Sequence, residues 1–167
     1  MVPEERRGWP RRPWEWVATW FGTGTLPKAP GTWGSLAALP LAWVIQTTLD
    51  LPGLLLATAI AFGCGLWATS RYLSETHEVD PQPVVVDEVA GQWLTLLAAP
   101  PTILGYAAGF LLFRFFDIVK PWPIRMIERR IPGAAGVMLD DIMAGIYAVI
   151  VLLLIRLFVP VPGTGFQ

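Results

Sequence analysis

Four long apolar stretches govern what this chain can fold into: SLAALPLAWVIQTTL (35–49), LPGLLLATAIAFGCGLWATS (51–70), VAGQWLTLLAAPPTILGYAAGFLLFRFF (89–116) and IMAGIYAVIVLLLIRLFVPV (142–161). Their length and their wealth of Leu and Ala favour helix over strand. Pro100-Pro101 divides the third stretch, because proline lacks an N–H and clashes with the preceding turn. The expectation is an all-α fold, a multi-helical membrane-embedded bundle of about five apolar helices with an N-terminal interfacial segment. Composition agrees: the chain is 54% hydrophobic and 15% charged, where an ordinary soluble domain carries about 25% charged residues. Several stretches fall short of the roughly 20 residues that a span needs. Shallow, tilted or partly re-entrant helices are therefore expected among them.

The expected organisation is a basic, Trp-rich arm (1–20), a single helical domain (21–161) and a short tail (162–167). The opening MVPEERRGWPRRPWEWVATWF is not read as a signal peptide, because Pro and Trp interrupt it where an apolar core and a small-residue cleavage site should follow. Trp14, Trp16 and Trp20 suit an interfacial aromatic belt, and Arg6, Arg7, Arg11 and Arg12 suit anionic phospholipid headgroups. A net charge of −1 gives no case for nucleic acid, which calls for a basic domain. The lone Cys64 permits no intrachain disulfide and reads as a packing residue.

Hairpins at Asp50-Leu51-Pro52-Gly53 and at Pro100-Pro101 would put the amino terminus and residues 22–34, 71–88 and 117–141 on one side of the bilayer. Of the 12 Lys and Arg residues, all but Arg156 fall on or beside that side. The positive-inside rule then makes it cytoplasmic. The two acidic pairs that border apolar stretches, in VVVDEVAG (84–91) and VMLDDIMAGI (137–146), would face that compartment, together with Asp117.

Asp87-Glu88 and Asp140-Asp141 are each expected at the start of a helix. Capping and a favourable dipole interaction explain one acid per helix; two adjacent acids, twice, exceed that need. Neighbours on a helix point about 100° apart and can hold different partners. Five converging carboxylates repel one another unless a cation neutralises them. Oxygen ligands without a Cys or His cluster suit Mg²⁺ rather than zinc. A further motif, GTGTLPKAPGTWGS (22–35), has the glycines and the following helix of an anion-binding loop, with Thr32 or Ser35 as the cap. It also reads as a plain Pro/Gly turn, and it is no Walker A loop. FRFFDIVKPWPIRMIERR (113–130) supplies Arg114, Lys120, Arg125, Arg129 and Arg130 beside the acids, which suits an anionic phosphate substrate. Cys64 lacks a phosphate loop, and His77 lacks the second histidine that phosphohistidine chemistry needs. Metal-activated water attacking a phosphoryl group is what remains.

FGTGTLPKAPGTWGSL, DPQPVVVDEVAGQWL, FRFFDIVKPWPIR and GVMLDDIMAGIYA resemble, in order and spacing, the phosphatidylglycerophosphatase A family. The resemblance covers about residues 20–150. It implies an all-helical, Mg²⁺-dependent phosphatase of the bacterial cytoplasmic membrane, multi-pass, with its site on the cytoplasmic face. Such an enzyme converts phosphatidylglycerophosphate to phosphatidylglycerol and phosphate. Carried over by motif, the site comprises Thr25, Pro30, Gly31, Thr32, Ser35, Asp87, Glu88, Asp117, Lys120, Pro121, Asp140 and Asp141. Asp87, Glu88, Asp140 and Asp141 are expected to hold Mg²⁺. Lys120 and the 22–35 loop are expected to bind phosphate, with Lys28 and Arg125 as further contacts. A lipid phosphatase of broader specificity, or a small cation carrier using intramembrane carboxylates, stands as the alternative.

Overall fold

A computed structural model describes residues 9–78 and 81–158, apart from the side chains of Glu128 and Arg129. Arg6, Arg7 and the expected tail lie outside the described residues. Within them the regular structure is helical throughout: α1 (Pro13–Ala18), α2 (Pro30–Thr76), α3 (Val86–Leu96), α4 (Ile103–Val119), α5 (Ile124–Arg130) and α6 (Ala134–Phe158), with a 3-10 turn at Thr23–Thr25.

The first two apolar stretches form α2, which is interrupted at Asp50, where φ is 55° and ψ is −165°. Its two arms run antiparallel. Gly34 and Gly65, at nearly equal separations from Asp50, both abut the start of α3: a Cβ on Gly34 would meet Val85 Cβ at 2.7 Å, and one on Gly65 would meet Val86 Cγ1 at 3.3 Å. The second hairpin falls where Pro100-Pro101 demands it. Thr102 then caps α4, its Oγ1 accepting the Gly105 N–H at 3.1 Å. Five apolar helical segments result, counting the arms of α2 separately. Two helices among the described residues, α2 and α6, are long and apolar enough to cross a membrane.

Three expectations need correction. First, α2 starts at Pro30, whose fixed φ suits the first helical position. Thr32 and Ser35 therefore lie inside the helix rather than capping it, and Ser35 Oγ donates to the Gly31 carbonyl at 2.8 Å. Second, α6 starts at Ala134, well before the acids, because only Pro132-Gly133 interrupts a run of helix formers. Asp140 and Asp141 consequently sit about two turns in, beyond the reach of the terminal dipole. Third, Trp14 and Trp20 turn inward. Trp14 packs edge-on against Tyr72 with centroids 5.7 Å apart, and Trp20 packs against Trp93 at 5.4 Å. Both rings are half-buried, each packing on its neighbour with part of its surface left open. Trp16 stays exposed. The arm is also tied to the end of α2 by an Arg12–Glu75 ion pair.

The core is built from small residues on facing helices. Ala38, Ala42 and Ala68 of α2 pack with Val86, Val89 and Ala90 of α3 and Met138 of α6, all nearly or wholly buried. Leu55, Leu56, Ile60, Leu111, Phe115, Leu153 and Leu154 point outward and are exposed, an apolar surface suited to lipid. At the end of the bundle formed by Asp50 and Pro100-Pro101, the buried Gln46 accepts from Tyr106 Oη at 2.7 Å and donates to the Ala99 carbonyl at 3.2 Å. Arg156 lines a cavity at that same end.

Candidate metal and phosphate site

At the other end of the bundle lies a cavity of about 450 Å³, formed by the first turns of α2 and α3, the end of α4 and the second turn of α6. All five expected acids line it, together with Arg114, Lys120, Pro30 and Gly31. Apart from Gln82, its remaining wall is apolar and includes Ile118, Ile131 and Val137.

The acids meet because α3 and α6 cross backbone to backbone. A Cβ on Gly91 would meet the Asp141 carbonyl oxygen at 2.5 Å, and one on Gly145 would meet the Gly91 carbonyl oxygen at 2.7 Å. Asp87 precedes Gly91 by four residues, and Asp141 precedes Gly145 by four. Each acid thus lies one turn from the crossing, on the same helix face as its glycine. Asp87, Glu88 and Asp141 each offer a carboxylate oxygen within 4.8 Å of the others.

These groups are poorly satisfied by the protein alone. Asp87 and Asp141 are 8% and 3% exposed. Asp87 Oδ1 and Glu88 Oε2 are buried without a hydrogen-bond partner, a condition that costs about 1–3 kcal/mol per group and more for a charge. In α3, which at 11 residues is too short to cross a bilayer, burial pushes the Asp87 carboxyl well above its ordinary value, and the Glu88 charge adds to the rise. Glu88 is raised from 4.5 to about 7, mainly by burial and further by Asp117, with its hydrogen bond to Asp87 and the nearby Arg114 opposing. Three hard carboxylate donors, two of them with an unpartnered oxygen, fit a cation such as Mg²⁺. The fit extends to α2: a Cβ on Gly31 would collide with Glu88 Oε1, so glycine is needed where the carboxylate lies against the first turn.

Asp140, the fourth expected ligand, lines the same cavity but lies outside the 4.8 Å group. Its Oδ2 pairs with Lys120 Nζ at 2.7 Å, and its Oδ1 accepts the Asp141 N–H at 3.0 Å. Adjacent positions on α6 point apart: Asp141 joins the α3 pair within 4.8 Å, while the Asp140 charge still bears on Asp87. Asp117 pairs with Arg114, Oδ2 to Nη1, at 2.6 Å. Arg114 Nη1 also lies 3.9 Å from Glu88 Oε1 and 3.5 Å from Ser35 Oγ. Arg114 links all three neighbours; the sequence places it among the cations beside the acids, and a lone arginine within FLLFRFF marks it, although the motif carry-over leaves it out.

The glycine-rich loop is only partly brought to the cavity. Pro30 and Gly31 line it. Thr25 instead faces a separate cavity with Trp9, Trp14 and Tyr72, and its hydroxyl donates to the Gly22 carbonyl at 2.7 Å. Lys28 is exposed and stands outside the lining, as do Thr32 and Ser35. Ser35 adjoins the site through Arg114 and through its bond to the Gly31 carbonyl. Arg125 is exposed, and its Nη2 donates to the Val119 carbonyl at 3.2 Å. Residues 22–25 turn back onto α1, where Gly24 N donates to the Thr19 carbonyl at 2.9 Å. That turn carries the Thr23 and Thr25 hydroxyls away from the acids.

Fold and site together define an all-helical protein with a lipid-suited exterior and an acidic, cation-flanked cavity at one end. The chain belongs to the phosphatidylglycerophosphatase A family, whose model matches residues 16–156. It is 39% identical over 135 residues to phosphatidylglycerophosphatase A of Escherichia coli (strain K12), covering 80% of this chain and 78% of that one. It is 38% identical over 141 residues to phosphatidylglycerophosphatase A of Haemophilus influenzae, covering 84% and 86%. A Bacteroides thetaiotaomicron protein provisionally named phosphatidylinositol-3-phosphatase is 42% identical over 147 residues, covering 84% and 91%. No solved structure matches the chain. The family is one of phosphatases, so the resemblance read from the four motifs holds.

Proposed function

We propose that this protein is a Mg²⁺-dependent phosphatase that removes the terminal phosphate monoester of phosphatidylglycerophosphate, yielding phosphatidylglycerol and inorganic phosphate. Its five apolar helical segments embed in the bacterial inner membrane, with the acidic cavity at the cytoplasmic face. The observation that carries this reading is the meeting of Asp87, Glu88 and Asp141 beside Lys120 and Arg114 in one cavity. A carboxylate cluster alone repels phosphate; paired with two fixed cations and a divalent ion, it accepts one.

Asp87, Glu88 and Asp141 would hold the Mg²⁺. When bound, that ion supplies positive charge to the phosphoryl oxygens and acidifies a water. Lys120 and Arg114 bind the remaining phosphate oxygens and offset charge that develops as the ester bond breaks. A carboxylate of the cluster takes the proton of the attacking water. Ile118, Ile131 and Val137 form the wall along which the lipid's glycerol enters. Charge asymmetry supports the orientation. Arg156 shares the far-end cavity with Asp50 and Pro100-Pro101, about 25 Å along the bundle from the acids.

The test is phosphate release by purified protein in detergent from a panel of phosphatidylglycerophosphate, phosphatidylinositol 3-phosphate and phosphatidic acid, each with Mg²⁺ and with chelator. Release from the first alone, lost on chelation, is the expected result. Comparable release from all three would establish the broader lipid phosphatase, a reading favoured by the Bacteroides relative's name. Cation flux in liposomes without hydrolysis would establish the carrier, which leaves Lys120 and Arg114 without a task.

A further inference from the structure

Lys120 ends α4 with φ 45° and ψ 64°, a left-handed conformation that glycine adopts freely and a lysine adopts at a cost of order 1–3 kcal/mol. The position therefore retains its side chain against the preference of its backbone. Around it the chain is pinned. Lys120 N donates to the Phe116 carbonyl at 2.8 Å, and Tyr147 Oη of α6 donates to the Trp122 carbonyl at 2.9 Å. From this fixed turn the Lys120 ammonium reaches Asp140 Oδ2, while Asp140 Oδ1 is anchored on the Asp141 N–H. The Asp140 carboxylate thus ties the end of α4 to the helix that carries Asp141. It takes no part in the 4.8 Å cluster of Asp87, Glu88 and Asp141.

We infer that Asp140 is a positioning residue for Lys120 and not a ligand of the cation, so that the adjacent acids of the Asp140-Asp141 pair do different work. Asp141 faces the cation, and Asp140 holds the ammonium at the edge of the same cavity, where it meets the phosphate. This rests on the phosphatase reading for the role of Lys120, whereas the exclusion of Asp140 from the cation site does not.

The test uses the full-length protein in detergent and two readouts. Mn²⁺ binding, followed by electron paramagnetic resonance, probes the cation site directly; kcat and KM on phosphatidylglycerophosphate probe the ammonium. Asp140→Asn keeps an oxygen for the Asp141 N–H, and Lys120→Gly relieves the left-handed backbone, so both variants should fold, as thermal unfolding will check. The expected result is that Asp140→Asn binds Mn²⁺ as tightly as wild type yet loses about 10–100-fold in kcat/KM, the usual effect of an outer supporting residue. Asp141→Asn should lose Mn²⁺ binding. The double variant Asp140→Asn/Lys120→Gly should be no worse than Lys120→Gly alone, since coupled residues are not additive. Loss of Mn²⁺ affinity in Asp140→Asn equal to that in Asp141→Asn would overturn the inference, as would fully multiplicative losses in the double variant. If the wild type hydrolyses no lipid phosphate, the phosphatase reading fails separately, and the Mn²⁺ titration still decides whether Asp140 belongs to the cation site.

Discussion

Gly91 of α3 and Gly145 of α6 face each other at a helix crossing where a Cβ on either would strike the opposite backbone, at 2.5 Å and 2.7 Å. This contact sets the spacing of Asp87 and Asp141, each one turn away. Backbone cannot yield as a flexible side chain can, and overpacking typically costs about 1–3 kcal/mol or more. Gly91→Ala and Gly145→Ala should lower the unfolding temperature in detergent and abolish most phosphate release. Gly63 has nothing near its missing Cβ, so Gly63→Ala should leave activity intact and stabilise α2 by about 0.5–1 kcal/mol.

Loss of a cation ligand should exceed the loss of any supporting residue. Asp87→Asn and Asp141→Asn are expected to reduce phosphate release beyond the roughly 10–100-fold typical of outer-sphere changes. Chelation should abolish wild-type activity, and added Mg²⁺ should restore it. Near-normal rates in either Asn variant would remove these two acids from the cation site.

The raised Glu88 carboxyl makes stability depend on pH with a definite sign. Its folded value of about 7 lies above its ordinary 4.5. Between those values the cation-free folded protein keeps a proton that the unfolded chain has released. Stability is therefore fullest below 4.5 and falls as pH rises through 7. A divalent cation competes with that proton and cancels the penalty. The gain in unfolding temperature on adding Mg²⁺ should accordingly be small near about pH 5.5 and grow toward about pH 8. A gain that shrinks with pH would contradict the cluster as a cation site.

The far end of the bundle offers a structural control. Tyr106→Phe removes the donor to Gln46 Oε1 and leaves a buried amide oxygen without its partner, at a cost of about 1–3 kcal/mol. Because the site lies at the other end, the unfolding temperature should fall while kcat and KM hold. Replacing both groups, as Gln46→Leu with Tyr106→Phe, should recover part of the loss.

Much of this was open to a reader of the residues alone. The apolar stretches, the break at Pro100-Pro101 and the turn beside Pro52 follow from local chemistry that neighbours scarcely alter. So does the convergence of Asp87-Glu88 with Asp140-Asp141, once two hairpins return the chain to the same end. Other features were hidden. Nothing local says that Trp14 meets Tyr72 rather than lipid, or that Thr25 turns away from the cavity. Arg114 was visible as a charge inside an apolar helix, with Asp117 one turn on in the same helix, but its link to Glu88 and Ser35 depends on two other helices.

The sequence by itself determined an all-helical, strongly apolar chain with acids one turn ahead of small-residue steps, because helix periodicity and proline stereochemistry act within a few residues. Only the tertiary structure decided which acids meet. The rotation of α6 against α3 at Gly91 and Gly145 turns Asp141 inward and leaves Asp140 to Lys120. That rotation is set by contacts between segments more than fifty residues apart, and no spacing within either helix encodes it.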